Sequence, residues 1–586
     1  MASIGARATR RMLAGAVLAL IFLSLWYIDT PGTSVTVEGQ SGSQNPLMHN
    51  ENDSDNINDN DDDNNDDDDN KNDGHEKWSH IPSHLHGKTH DLTKLPPQIL
   101  HLHSDLHHLH NNDEFLPYIA GISSVPNLTV STAYGTCKFT DEEMGSFVYN
   151  NDAPWVLEPT ADDQIVSLRE AWQSYVKRGL IPWEAVKDRY SGKGIVIVGG
   201  KGADVKRIVV ALRALQKHGS KLPVEINYFD DELVDTTRQA LTDIYGDKLL
   251  FNDLAAEDQP WATFKVFKDN YQLKTAALVN SRFSEMLLLD SDNIPTRDPA
   301  TLFESKAYKE FGSVFWPDFP RTRKEHPAWA AFNTPCRRGE YEFETGQALI
   351  DKRRHFYHLQ FAAWMNTQPY WREMLLGDKD LFRYAWHALK TDFGTPFKWL
   401  TSIGFYAEQQ DGEGSKLAYC GHTFGQSFPD HDKDSAGSGI AFLHGGALKT
   451  VGGPLLARLR KLKGGIFTHF KRVKVETLED WSQVEYGVTL EHWRAGWYYN
   501  FTKEIKAADL LSPSDDFDLD GKPMGEAGLQ AMELGEADMN KVVLCTDFAF
   551  VEPRPIAELG EDATKFEQLY EDIGGYWAIE FGYHGW

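Results

Sequence analysis

Met286-Leu287-Leu288-Leu289-Asp290-Ser291-Asp292-Asn293 is the stretch around which the chain is organised. A run of apolar residues bounded by polar ones reads as a buried strand. Two carboxylates follow it at i and i+2, where a parallel strand of an α/β sheet opens into the crevice at its carboxyl end. Carboxylates held together repel, and a hard divalent cation bound through oxygen is the simplest relief. Such a cation can in turn hold a diphosphate. The competing reading is a solvated acidic turn, since the tripeptide Asp-x-Asp also arises by chance. The surrounding chain decides between them.

Upstream, Gly194 to Gly202 reads as a buried strand and a glycine turn, followed by a helix over Val205 to His218. This is a nucleotide-binding βα opening in outline, although it matches neither the Walker A spacing nor the Gly-x-Gly-x-x-Gly pattern. A second strand over Pro223 to Phe229 precedes the acidic turn Asp230-Asp231-Glu232. Ile165 to Arg178 reads as an amphipathic helix, with Leu168, Ala171, Trp172 and Tyr175 on one face. Phe264 to Phe283 reads as a helix carrying Lys265, Lys268 and Lys274 straight into the central strand. Strands alternating with helices predict a mostly parallel sheet.

Downstream, Asp298 is placed to cap a short helix through Phe303, and Phe311 to Trp316 makes another strand. Glu344-Thr345-Gly346-Gln347 reads as a polar turn entering an apolar strand that ends at Ile350. Gly377-Asp378-Lys379-Asp380 opens a helix over Leu381 to Leu389, so either aspartate can serve as an N-cap or as a ligand to substrate. Gly439 to Leu443 is a strand ending in His444 and two glycines, with Lys449 beyond. Asp516-Phe517-Asp518-Leu519-Asp520-Gly521 copies the first half of a calcium loop, but its twelfth position is Ala527 where a bidentate Glu belongs. It reads as a surface turn.

The chain has 586 residues and a formal charge of -28, unevenly spread. Residues 51–74 hold twelve Asp/Glu and one Lys, and no clustered basic surface points to nucleic acid. Met12 to Ile28 is an uncharged apolar run preceded by Arg7, Arg10 and Arg11. At 1.5 Å per residue it spans roughly 25 Å, enough for a thin bilayer. The expected organisation is a cytoplasmic tail (1–11), a transmembrane signal anchor (12–28), a disordered Asp/Asn- and His-rich stem (29–114) and a catalytic domain beyond the membrane (115–586). A cleaved signal peptide is the rival, though Leu25 to Ile28 is bulky where cleavage wants small residues. Asn52, Asn127 and Asn500 begin N-glycosylation patterns. Cys137, Cys336, Cys420 and Cys545 all fall on the far side and permit two disulfides, in any of three pairings.

Together, Lys274, Leu287 to Asn293, Glu344 to Gln347, Gly377 to Asp380 and His444 to Lys449 resemble the fungal Golgi α-mannosyltransferases of glycosyltransferase family 71, over about residues 190–450. The layout is closest to the α-1,2 type that initiates mannan branches. The resemblance implies an α/β GT-A-like nucleotide-sugar transferase fold, in which an apolar strand ends in a metal-binding Asp-x-Asp. It implies GDP-mannose as donor, Mn2+, retention of configuration, and a mannoside acceptor of N-glycan or cell-wall mannan. The location implied is the Golgi membrane, as a single-pass type II protein. By the same resemblance Asp290, Asp292 and His444 ligate the metal, and Lys274 and Lys449 join Asp290 and Asp292 at the donor. Glu344, Gln347, Asp378 and Asp380 orient the mannose. A UDP-sugar transferase of the glycogenin-like kind and a catalytically silent, mannan-binding relative are the alternatives. No oligomeric state follows from the sequence.

Overall fold

The computed structural model describes residues 112–135, 137, 149, 153–200, 203–264, 271–337, 340–375, 377–396, 400–411, 414–430, 439–445, 465–472, 497–499, 543–546 and 552–575. The anchor, the stem up to residue 111, the calcium-loop look-alike, Lys265, Lys268 and Lys449 lie outside these residues, while residues 112–114, expected to be disordered stem, form the start of a helix. Among the described residues no helix is long and apolar enough to cross a membrane.

Helices α1 (Asn112–Ser124) and α2 (Asp162–Arg178) come first. α2 begins with Asp162 and Asp163 and ends with Lys177 and Arg178, the charges that its two dipole ends favour. It buries Ile165, Arg169, Trp172 and Val176. The buried stripe is therefore rotated from the predicted one, with Leu168 and Tyr175 at its edge and Ala171 exposed. Arg169 can be buried because its guanidinium donates to the carbonyls of Leu128 and Ala330.

Strands and helices then alternate: β1 (Lys193–Val198), α3 (Ala203–Lys217), β2 (Val224–Tyr228), α4 (Asp235–Tyr245), β3 (Leu249–Asp253), α5 (Tyr271–Asn280) and β4 (Glu285–Leu289). These four strands are parallel in the order β3-β2-β1-β4. The described part of α5 starts at Tyr271 and stops at Asn280, so the helix predicted over Phe264 to Phe283 is shorter at both ends.

β4 explains why its sequence is a continuous apolar run. Met286 and Leu288 point into a core shared with α5 and the helix that follows β7, while Leu287 and Leu289 point into the core under α3. All four are fully buried. A strand covered on both faces has no polar side to alternate with.

The chain continues through β5 (Asn293–Pro295), β6 (Ser313–Arg321), β7 (Tyr341–Asp351), α6 (Lys352–Asn366) and α7 (Leu381–Ala388). β7 lies beside β4 and β6 and runs antiparallel to both, completing the order β3-β2-β1-β4-β7-β6. The central sheet is thus mixed, where mostly parallel was expected. Glu344 to Gln347 are strand residues within β7, not a turn. Hydrogen bonding to neighbours on both sides holds residues of low strand preference in line.

A second, wholly antiparallel sheet was not anticipated. It comprises β5 together with β8 (Thr401–Asp411), β9 (Gly414–Ser427), β10 (Ile440–His444), β11 (His469–Arg472), β12 (Trp497–Tyr499), β13 (Val543–Thr546) and β14 (Glu552–Pro555). The short helix α8 (Phe566–Asp572) follows. β10 pairs with both β9 and β5, and so ties this sheet to the turn that carries the acidic pair.

Cys137 and Cys336 form a disulfide that closes a loop of 199 residues. β13 pairs with β9 so that Cys545 stands opposite Cys420 in the ladder. If both pairs are bridged, the native protein takes up no thiol reagent until it is reduced, and reduction costs about 2–5 kcal/mol of stability. Two thiols titrating in the unreduced, folded protein would reject the second bridge.

Candidate metal centre

The Asp290 N–H donates to the Gly346 carbonyl at 2.9 Å, which keeps the end of β4 on the ladder. The Asn293 N–H then donates back to Asp290 O at 3.0 Å, closing a tight turn that starts β5. In the β5–β10 ladder Asn293 stands opposite His444. One carboxylate oxygen each from Asp290 and Asp292 and one ring nitrogen of His444 therefore lie within 4.8 Å of one another.

His444 is 2% exposed, and neither ring nitrogen has a hydrogen-bond partner. Asp292 Oδ1 stands 3.4 Å from Nε2, and Glu344 Oε1 stands 3.5 Å from Nδ1. Buried polar atoms left in this state are rare unless a ligand takes them up. Two carboxylates and a neutral imidazole suit a borderline divalent ion such as Mn2+ better than Mg2+. The residues present fit a cation.

Gly346 makes room for this ring. A Cβ at that position would sit 2.3 Å from His444 Cε1. Gly346→Ala is therefore expected to displace the imidazole and remove Mn2+ binding with little change in the far-UV spectrum. Titration of Mn2+ into the variant checks it, and wild-type affinity would show that the ring has another place to go.

Lys274 faces the cluster from α5. Its Nζ lies 3.0 Å from Asp290 Oδ1, 3.4 Å from Asp378 Oδ2 and 3.2 Å from the Thr345 carbonyl. Burial opposes its charge, but Asp290, Asp378 and Glu344 together hold the ammonium well above the ordinary lysine value. Asp378 is 4% exposed, and its Oδ2 has no hydrogen bond. Burial pushes its carboxyl up to about 6, with Lys274 pulling down and Asp290 adding to the rise.

The sign of the resulting pH dependence is fixed. Above the ordinary value of 3.8 the unfolded chain has lost this proton, while the folded chain keeps it to about 6. Its contribution to stability therefore falls as pH rises between those values, by at most about 3 kcal/mol. Asp378→Asn should melt like the wild type near the lower value and above it past the upper one. Equal differences at both ends would contradict the assignment.

Asp380 occupies the residue before α7 with a left-handed φ of 65° but makes no side-chain cap. Its Oδ1 instead accepts the Phe343 N–H at 3.0 Å and lies 2.8 Å from Arg383 Nε. Lys379 reaches Asp318 at 2.7 Å and Glu342 at 3.0 Å. The loop is pinned at each of its three charged residues, and neither aspartate is the helix cap that the sequence also allowed. Glu344 Oε1 accepts the Gly346 N–H at 3.0 Å. Gln347 is fully buried and its amide oxygen accepts from Asn293 Nδ2, which also donates to Gly346 O at 2.9 Å. It acts as a prop under the turn.

Three further residues were not singled out from the sequence. Burial raises Asp204, at the start of α3, to about 6, against the pull of Arg207 and with Asp292, Glu232 and Asp290 adding to it. Its position just after the glycine turn was a usable signal. Arg207, buried on α3, and Tyr570, buried on α8, had none.

The family described as "Mannosyltransferase putative" matches residues 192–335 and 337–427. An alpha-1,2-mannosyltransferase of Candida albicans, MNN24, is 27% identical over 278 residues, covering 39% of this chain and 38% of that protein. The alpha-1,2-mannosyltransferase MNN2 of Saccharomyces cerevisiae is 31% identical over 170 residues, covering 28% of this chain and 27% of that protein. The chain thus spans less than half the length of these relatives. The solved mannosyltransferase Ktr4p of S. cerevisiae aligns over 41% of this chain and 78% of its own, at 12% identity and a TM-score of 0.23, below the level at which a fold likeness holds. Over residues 192–335 and 337–427, less than half of the chain, the sequence is thus similar to that mannosyltransferase family.

Proposed function

We propose that the protein is a retaining α-mannosyltransferase with a GT-A-like catalytic domain, moving mannose from GDP-mannose to an α-mannoside of N-glycan or cell-wall mannan in α-1,2 linkage. The observation that carries this is the convergence of Asp290, Asp292 and the buried, unbonded His444. These three hold Mn2+. When bound, the cation neutralises the charge that develops on the departing diphosphate, the main electrostatic need of glycosyl transfer. Lys274 fixes the Asp290 carboxylate and supplies a permanent positive charge beside it. Asp378, buried with an oxygen free of hydrogen bonds, contacts the transferred mannose, and Glu344 orients it from β7. Asp380, held by Arg383 and Phe343, keeps the Asp378 loop in place.

The same reading puts the domain in the Golgi lumen, anchored through residues 12–28. The Cys137–Cys336 bond supports an oxidising compartment, and exposed Asn127 is open to glycosylation there. The test is a melt in Mn2+ with GDP-mannose or UDP-glucose, followed by product analysis with α-1,6-mannobiose. GDP-mannose should stabilise the protein selectively by mass action, and NMR of the product should show an α-1,2 bond. Stabilisation by UDP-glucose alone would overturn the donor. No turnover despite GDP-mannose binding would favour a silent relative.

A further inference from the structure

An imidazole that binds a cation through one nitrogen keeps its proton on the other, and that proton has to be placed. Asp292, one of the two acidic ligands, presents Oδ1 to His444 Nε2 at 3.4 Å, so Nε2 is on the metal side of the ring. The proton then belongs on Nδ1, which is buried and makes no hydrogen bond. A buried donor without an acceptor is unfavourable, so loading of the metal calls for an acceptor beside Nδ1.

The structure sets Glu344 there. Its Oε1 stands 3.5 Å from Nδ1, just beyond hydrogen-bond length. The same oxygen accepts the Gly346 N–H at 3.0 Å, which ties the carboxylate to its own strand. Gly346 also lies against the ring, where a Cβ would come within 2.3 Å of Cε1. The β6–β7 ladder is irregular at this point. Phe315 stands opposite Ala348 but Trp316 stands opposite Glu344, so residues 345–347 are skipped. Irregularities of this kind re-aim side chains and gather beside functional sites. Carboxylate, glycine and ring meet at this one.

We propose that Glu344 is a positioning residue for the metal: it accepts a hydrogen bond from His444 Nδ1–H and so fixes the tautomer that turns Nε2 to the cation. An outer carboxylate on a ligating histidine both orients the ring and raises its basicity. The proposal rests on the functional reading above, and adds a hold on the cation to the mannose-orienting role given there to Glu344. Its competitors are a role toward mannose alone and direct ligation of the cation by Glu344.

The measurement is Mn2+ affinity of the full chain by EPR titration, without nucleotide or acceptor, so that sugar contacts do not enter. Glu344→Met keeps the length and removes the acceptor. Its affinity should fall about 10–100-fold, the range for losing such an outer partner. Glu344→Gln removes the charge and keeps an acceptor, because the Gly346 N–H holds the amide oxygen where the carboxylate oxygen stood. It should stay within a few-fold of the wild type. Glu344→Asp keeps the charge but draws the oxygen back by one carbon, and should bind more weakly than Glu344→Gln. This last order serves even if Glu344→Met folds poorly in a metal-free melt. Wild-type affinity in Glu344→Met and Glu344→Asp would leave Glu344 to the mannose alone. An aspartate variant tighter than the glutamine variant would make Glu344 a ligand or a bare charge. Either result overturns the proposal. Failure of the wild type to bind Mn2+ at all would bring down the functional reading, and this inference with it.

Discussion

Replacing Asp292 with asparagine is expected to lower mannosyl transfer by at least about two orders of magnitude, the scale typical of losing one preorganised electrostatic stabiliser. The substitution removes the charge that a cation needs and barely changes shape. Stability without ligand should hold or rise slightly, because the acidic cluster of Asp290, Asp292 and Glu344 loses one like charge. Melting with and without Mn2+ and GDP makes the cause visible. At saturating ligand, about a hundred times its dissociation constant, the wild type gains about 2.7 kcal/mol, and Asp292→Asn should gain almost none. His444→Ala should lose the same gain, and no change of acceptor should rescue it. Full activity together with the full thermal shift in Asp292→Asn would make Asp290 to Asp292 an ordinary acidic turn, and the transferase reading would lose its central pair.

Lys274→Met should have the largest effect on stability. Its ammonium contacts Asp290 and Asp378, whose side chains are 24% and 6% exposed, and is itself 14% exposed. Solvent screens such a group poorly, so removing it strands two carboxylates. Breaking a buried pair in this way costs about 3–5 kcal/mol. The loss should be partly recoverable by two routes. Mn2+ restores positive charge at Asp290, so the variant should gain more from the metal than the wild type does. Lys274 holds the Asp378 carboxyl down, so the variant takes up this proton at a higher pH than the wild type, and the deficit should shrink as pH falls toward about 6 and level off below it. A deficit indifferent to both metal and pH would mean that Lys274 matters for packing and not for charge.

How much of this was legible beforehand follows from what each signal depends on. The β4 run and the Asp-x-Asp after it were readable because burial on two faces and two adjacent charges are written locally. The βα units around α3 and β2 were readable for the same reason. His444 was a candidate through its place at a strand end. Glu344 to Gln347 read as a turn because Glu, Gly and Gln disfavour strands in isolation. Only the β4 and β6 ladders on either side hold them extended. Asp378 and Asp380 each had two readings, and the choice between them lay in partners from α5, β7 and α7.

The sequence by itself determined the apolar strands, the order of the βα units and which side chains could bind a cation, since composition and period are properties of neighbours along the chain. Strand direction, the second sheet and the Cys137–Cys336 bond were decided only in the tertiary structure. The metal centre belongs to the second group. Its ligands come from the turn that follows β4 and from the end of β10, and they meet because β10 pairs antiparallel with β5 in one register. A slip of one residue would turn His444 to the other face of the sheet, and no local pattern around either strand encodes that pairing.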